Sequence, residues 1–269
     1  MTNQTQIMGI LNVTPDSFSD GGKYFGTTNA IQSAQRMIEQ GADIIDVGGE
    51  STRPGAKPVS ITDELNRVIA VINAIAKIPN IRISIDTSKP EVMQKAVQAG
   101  AEIINDVYAL RADGALEISV ELGVDVCLMH MQGEPNTMQN NPVYGDVIDD
   151  IKRFFEARIE VCVGAGMNES RIILDPGFGF GKTYEHNLAI LNRFDEFKSF
   201  GLPLLAGLSR KHMIGEMLGG KAVDDRVTAS VTGAIIAAQN GADIVRVHDV
   251  LETKDALSVL QCVTEGRNE

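Results

Sequence analysis

Four times in 269 residues a glycine, a small apolar residue and an acid stand just ahead of a short apolar run: Gly41-Ala-Asp43, Gly100-Ala-Glu102, Gly123-Val-Asp125 and Gly241-Ala-Asp243. Each reads as a helix stopped by glycine and followed at once by a strand, because glycine takes the left-handed conformation that ends helices without steric cost. The recurrence predicts βα modules. Strands are expected over 6–11, 43–47, 82–85, 102–104, 125–129, 171–174, 203–206 and 243–247, which makes eight, the number that closes a parallel barrel. Between them the 3.6-residue period puts Ala30, Ala34, Met37 and Ile38 on one helix face. It does the same for Ile148, Ile151, Phe155 and Ile159, and for Val227, Val231, Ala234 and Ile235. Ser60 and Ser88, each with an acid three residues on, have the spacing of helix N-caps. An open doubly wound sheet is the alternative, but the chain has no dinucleotide fingerprint and its units are regular. The expected fold is an α/β (β/α)8 TIM barrel, one domain over residues 1–269.

Hydrophobic residues make up 43% and charged residues 22%, enough for a sizeable core without a low-complexity linker. The net charge of −12 repels polyanions, so neither nucleic acid nor an anionic membrane is an expected partner. The first residues have no basic or apolar leader, and no later run is long enough to span a bilayer. Cys127, Cys162 and Cys262 are widely spaced and lie in apolar surroundings, so they read as buried thiols of a reducing compartment. The expected location is the cytoplasm.

Active groups of a parallel barrel sit where the strands end. The expected strands deliver Asn12, then Asp46 and Glu50, Asp86, Asn105 with Asp106, Met129 with His130, Asp175, Ser209-Arg-Lys211, and Arg246 with His248. Asp175 opens the stretch Asp-Pro-Gly-Phe-Gly-Phe-Gly-Lys182, where alternating glycines free the backbone and Phe178 and Phe180 can turn flat rings toward a ligand. Asp86, Asn105 and Asp175 suit a heterocycle that offers N–H donors, whereas Arg53, Lys211, Arg246 and His248 suit phosphate. The expected ligand therefore has a heterocyclic end and an anionic end. Two loops rich in glycine, 12–22 and 48–55, lie on the same face, and the second carries Arg53.

These segments, with Ile85-Asp-Thr87, resemble the dihydropteroate synthases of the folate pathway, in the family's order and from end to end of the chain. The resemblance implies a barrel enzyme that joins p-aminobenzoate to 6-hydroxymethyl-7,8-dihydropterin pyrophosphate. It also implies Mg2+, a homodimer and sensitivity to sulfonamides. By position, Asp86, Asn105, Asp175 and Lys211 would hold the pterin, with Met129 packed on its ring. Asn12, Arg246 and His248 would hold the pyrophosphate, and Asn12 would help place Mg2+. Asp86, Lys211, Arg246 and His248 would be the catalytic set. Thr52, Arg53, Phe180 and His212 would form the p-aminobenzoate subsite, with His212 at the start of a short helix over 211–218. The chain has no nucleophile paired with a base, so no covalent intermediate is expected.

Overall fold

The computed structural model describes residues 4–13, 23–51, 58–134 and 137–266. Eight parallel strands follow one another: β1 (Gln6–Asn12), β2 (Ile44–Gly48), β3 (Arg82–Asp86), β4 (Ile103–Asp106), β5 (Asp125–Met129), β6 (Ile172–Asp175), β7 (Leu205–Ala206) and β8 (Ile244–Val247). They pair in the order β6-β5-β4-β3-β2-β1-β8-β7. The remaining seam closes through a parallel bridge between Leu174 and Leu204 and a 2.9 Å bond from Leu174 N–H to the Pro203 carbonyl. The helices are α1 (Lys23–Glu39), α2 (Ile61–Ile75), α3 (Pro90–Gln98), α4 (Ala115–Leu122), α5 (Val147–Gly164), α6 (Tyr184–Asn192), α7 (His212–Met217), α8 (Val227–Gln239) and α9 (Val250–Glu265). The expected barrel is the observed one.

Several strands begin one or two residues later than expected and end one or two later, and both differences have a cause. Acids expected to open strands instead tie neighbours together at the barrel floor. Asp43 Oδ2 accepts the Ile7 N–H at 2.8 Å, and Asp243 Oδ2 accepts that of Leu204 at 2.9 Å. At the other end Asn12, Asp86, Asp106 and Asp175 are themselves the last residues of β1, β3, β4 and β6. These groups at the mouth therefore stand on the ladder rather than on loops.

Two layers of apolar side chains result from the strand period of two. Residues facing outward pack under the helices, with Ile45, Val47, Ile85, Ile104 and Leu174 fully buried or nearly so. Those facing inward form a separate ring of Met8, Ile44, Ile103, Cys127, Ile173, Leu205 and Ile244, to which β3 contributes Ser84. The expected faces of α1 and α5 are the packed ones. That of α8 is rotated: its fully packed residues are Ser230, Gly233, Ala234 and Ala237. Small residues are needed there, because a Cβ on Gly233 would collide with the side chain of Leu208, in the loop after β7.

Gly41, Gly100, Gly123 and Gly241 all have positive φ, as the helix stops require. Ser60 accepts the Asp63 N–H as expected. Ser88 does not cap α3; the N-cap is Lys89, because Pro90 starts the helix with its ring-fixed φ and holds the preceding residue extended. Cys262 is also corrected, since it is exposed while Cys127 and Cys162 are buried. It lies off the face of α9 that Val250, Thr253 and Leu257 bury.

Candidate active site

Two positions beyond the apolar ring, the inward residues become Ile10, Asp46, Asp86, Asn105, Met129, Asp175, Gly207 and Arg246. One step along the strands thus turns the barrel interior from oil to charge. Arg246 is the hub. Its Nε and Nη2 both reach Asp46 Oδ2 at 2.6 Å, and Nη2 also reaches Asp86 Oδ2 at 2.7 Å. Asn105 Nδ2 donates to the same Asp46 oxygen at 3.2 Å. Asp46 is fully buried, and its Oδ1 has no partner among the described residues. Burial, opposed by Arg246 and reinforced by Asp46, Asp106 and Glu64, pushes the Asp86 carboxyl up to about 7.

Asp175 faces this cluster from β6. Its Oδ1 accepts the Gly177 N–H at 2.7 Å. Burial raises its pKa against the pull of Lys211 and of that N–H. Burial also brings Lys211 down to about 8, with Asp175 opposing and Arg246 adding to the shift. The Lys211 ammonium bonds the Phe178 carbonyl and lies 4.5 Å from the centre of the Phe180 ring. Acids whose charge burial disfavours and a lysine whose charge it disfavours too, meeting at a barrel mouth, are the signature of a ligand site.

Three left-handed glycines shape the loop between them, with φ of 71° at Gly177, 79° at Gly179 and 63° at Gly181. Phe180 turns to the mouth, where it packs with Tyr108 on the cluster of Val107, Met129, Met131 and Met138. Phe178 does not turn to a ligand as expected. Its ring is buried in the outer core and stacks on Phe194 at 6.2 Å. The loop after β7 divides its residues the same way. Arg210, at φ 56°, turns out to hold Asp249 through two nitrogens, while Lys211 turns in. Ser230 of α8 accepts the Arg210 N–H at 2.9 Å, which is the task the small face of α8 makes room for. Ser209 Oγ and His248 Nδ1 are 3.0 Å apart at the rim.

A family model described as pterin binding enzyme matches residues 8–248. The dihydropteroate synthase of Escherichia coli is 52% identical over 261 residues, covering 97% of this chain and 92% of that one. The structure of the Yersinia pestis dihydropteroate synthase in a sulfonamide drug complex superposes with a TM-score of 0.93 at 50% identity, over 97% of this chain and 95% of that one. That of the Xanthomonas albilineans dihydropteroate synthase with 4-aminobenzoic acid gives 0.92 at 47%, over 97% and 94%. The chain belongs to the dihydropteroate synthases. Its membership covers the whole barrel and makes it a pterin-binding transferase.

Of the residues assigned through the dihydropteroate synthase motifs, Asp86, Asn105, Met129, Asp175, Phe180, Lys211 and Arg246 come together at the mouth. Asn12 and His248 end or follow strands on the same face. Thr52 and Arg53 lie outside the described residues. His212 does start the expected helix, capped by Lys211, but its side chain is 85% exposed and pairs with Glu216 of the next turn at 3.5 Å. The expected sorting of acids from bases is revised, since Arg246 is paired with Asp46 and Asp86 rather than standing apart from them. Asp46 was legible as a strand-end acid, and its role as the anchor of both Arg246 and Asn105 needed the register across the sheet. Another network, Lys89 with Glu50 and Glu64 at 2.5 Å each, had no signal in sequence because its members come from three separate segments.

Proposed function

We propose how this chain carries out its family's reaction, the condensation of p-aminobenzoate with 6-hydroxymethyl-7,8-dihydropterin pyrophosphate to 7,8-dihydropteroate and pyrophosphate. The observation that carries the reading is the buried polar layer closed by Arg246 over Asp46 and Asp86. A pterin offers amino and lactam N–H groups along one edge. The carboxylates of Asp86 and Asp175 accept from such an edge, Asn105 can both donate and accept, and Lys211 has N–H bonds to give to ring oxygen or nitrogen. Met129 and Phe180 supply the apolar faces between which a flat ring and then a benzoate can lie.

The bond that breaks joins the pterin methylene to the pyrophosphate oxygen, and the bond that forms joins that methylene to the aromatic amine, which then gives up a proton. Because the amine is a weak nucleophile, departure of pyrophosphate leads, and the electron-rich pterin held by Asp86 and Asp175 shares the positive charge left behind. Asn12, Arg246 and His248 hold the departing anion. The mouth also fits Mg2+. Gly48 leaves a gap in which a Cβ would stand 3.7 Å from Asn12 Oδ1 and 3.8 Å from Asp86 Oδ2, hard oxygen donors of the kind this ion takes alongside phosphate. When bound, Mg2+ screens charge on the pyrophosphate, and Asn12 is the residue that would hold it. Thr52, Arg53 and Phe180 serve p-aminobenzoate, and sulfonamides compete there.

The assembly is a homodimer in this reading. Ile236, Leu251, Val259 and Val263 of α8 and α9 are exposed apolar side chains that a second copy would cover. Among the described residues no helix is long and apolar enough to cross a membrane. The free cysteines suit a reducing cytoplasm. Mixing the two substrates should release pyrophosphate only when p-aminobenzoate and Mg2+ are present. A chain that binds the pterin yet releases none would be a carrier and not a synthase.

A further inference from the structure

The glycine-rich loop ends in Lys182, which the reaction above does not use. The residue is 3% exposed, and its ammonium has no carboxylate within hydrogen-bond reach among the described residues. It is enclosed by acceptors instead: the carbonyls of Gly177 at 2.9 Å, Phe180 at 3.0 Å and His130 at 3.3 Å, and His130 Nδ1 at 3.0 Å. Facing an ammonium, the His130 ring presents Nδ1 as an acceptor and carries its proton on Nε2. Burial, with Lys182 and Arg111 nearby, pushes it down to about 2 and keeps it neutral. The loop is wrapped around Lys182 as carbonyl ligands wrap a bound cation.

Two of those carbonyls belong to the loop that delivers the ligand contacts. Gly177, whose oxygen Lys182 holds, donates its own N–H to Asp175 Oδ1 at 2.7 Å. Phe180, held likewise, carries the ring that lies under Lys211. The third carbonyl and the imidazole belong to His130, whose N–H continues the ladder to the Asp175 carbonyl at 2.8 Å. Clustered carbonyls repel one another without a shared donor, and left-handed glycines resist none of that repulsion.

We infer that Lys182 is a positioning residue for this active site, whose ammonium sets the Asp175 carboxylate and the Phe180 ring by gathering the carbonyls of residues 130, 177 and 180. It acts through those groups and touches no substrate. The inference rests on the reading of Phe180 as part of the p-aminobenzoate subsite.

The test is a double-mutant cycle on the full chain, with folded fraction followed by circular dichroism and KM and kcat measured for p-aminobenzoate. Phe180→Ala should raise that KM. Lys182→Met keeps length and burial and removes the ammonium, and it should raise KM about ten- to a hundredfold, the scale of a displaced contact. In the Phe180→Ala background the same change should raise KM by less than about threefold, since its route is already lost. His130→Leu, which removes one acceptor and leaves the rest, should raise KM about threefold, and it decides the matter if Lys182→Met does not fold. Unchanged KM in the folded Lys182 variant, with kcat falling only as the folded fraction falls, would reduce Lys182 to a stability residue. Additive effects of the two substitutions would overturn the inference as well. If Phe180→Ala leaves KM unaltered, the subsite reading itself has failed and takes the inference with it.

Discussion

Lys182 and Lys211 are both buried lysines that grip carbonyls of one loop, residues 175–181, and they differ in how much of each ammonium the protein uses. Lys182 has four acceptors for three N–H donors, all supplied by the chain. Lys211 has one carbonyl, that of Phe178, and otherwise a ring face and the field of Asp175 and Asp86. Burial disfavours both charges, holding Lys182 well below the usual lysine range, but an ammonium saturated by the chain's own acceptors has nothing left to offer a ligand, so it organises the chain. An unsaturated one is held at a cost that a ligand can relieve, and burial brings its pKa down to about 8. The same side chain is structural at one set of the loop's carbonyls and functional at another.

Substituting each lysine by methionine separates them most sharply. Lys211→Met should lower kcat/KM about a hundred- to a thousandfold, as the loss of a charge-stabilising donor does. Its melting temperature should hold or rise, because a buried charge with a single bonded carbonyl is gone and only that carbonyl is stranded. Lys182→Met should instead lower the melting temperature, since the stranded acceptors cost on the order of 2 kcal/mol or more together. Thermal melts and steady-state kinetics on both variants read this directly, and equal melting shifts would erase the distinction.

Asp175→Asn tests the loop between them. The amide turns an N–H toward the pterin's own donors and gives up charge-assisted bonds, so pterin affinity should drop about ten- to a hundredfold by calorimetry. Undiminished binding would remove Asp175 from the slot.

A pH profile extends the contrast to the opposite wall of the slot. Folding raises Asp86 from 3.8 to about 7. Between those values the folded state holds a proton the unfolded chain has released, so this group's contribution to stability falls as pH climbs from about 4 to about 7. Pterin binding requires the carboxylate, so affinity should rise over the same range and be about tenfold lower at pH 6 than on its plateau. Asp86→Asn should flatten both dependences, and a flat parent profile would show that burial does not control this carboxyl. The smallest effect is expected at the rim. His212, exposed beside Glu216, should tolerate Ser with a change in p-aminobenzoate KM of less than about threefold, and a larger change would bring it into the subsite.

The alternation of helix-stopping glycines with apolar runs made the eight-stranded barrel legible, because backbone conformation and strand period are local properties. The site was legible to the extent that strand ends could be found. Asp86, Asn105, Asp175 and Arg246 were all placed at the mouth by counting along the chain. Partners of each were not, because a parallel barrel puts residues 46 and 246 together through register across neighbouring strands. Phe178 and Phe180 look equivalent in sequence, with a glycine on either side of each.

The chain's own residues determined the barrel, the polar character of its mouth and the end of the ligand that each strand could serve. Only the tertiary structure decided that Arg246 would bind Asp46 and Asp86, that Phe178 would enter the core while Phe180 faced the mouth, and which of two lysines would be spent within the protein. The physical reason is range. Glycine stops and apolar periods act over a few residues, whereas the saturation of a charge depends on which carbonyls and carboxylates the closed barrel brings within about 3 Å of it.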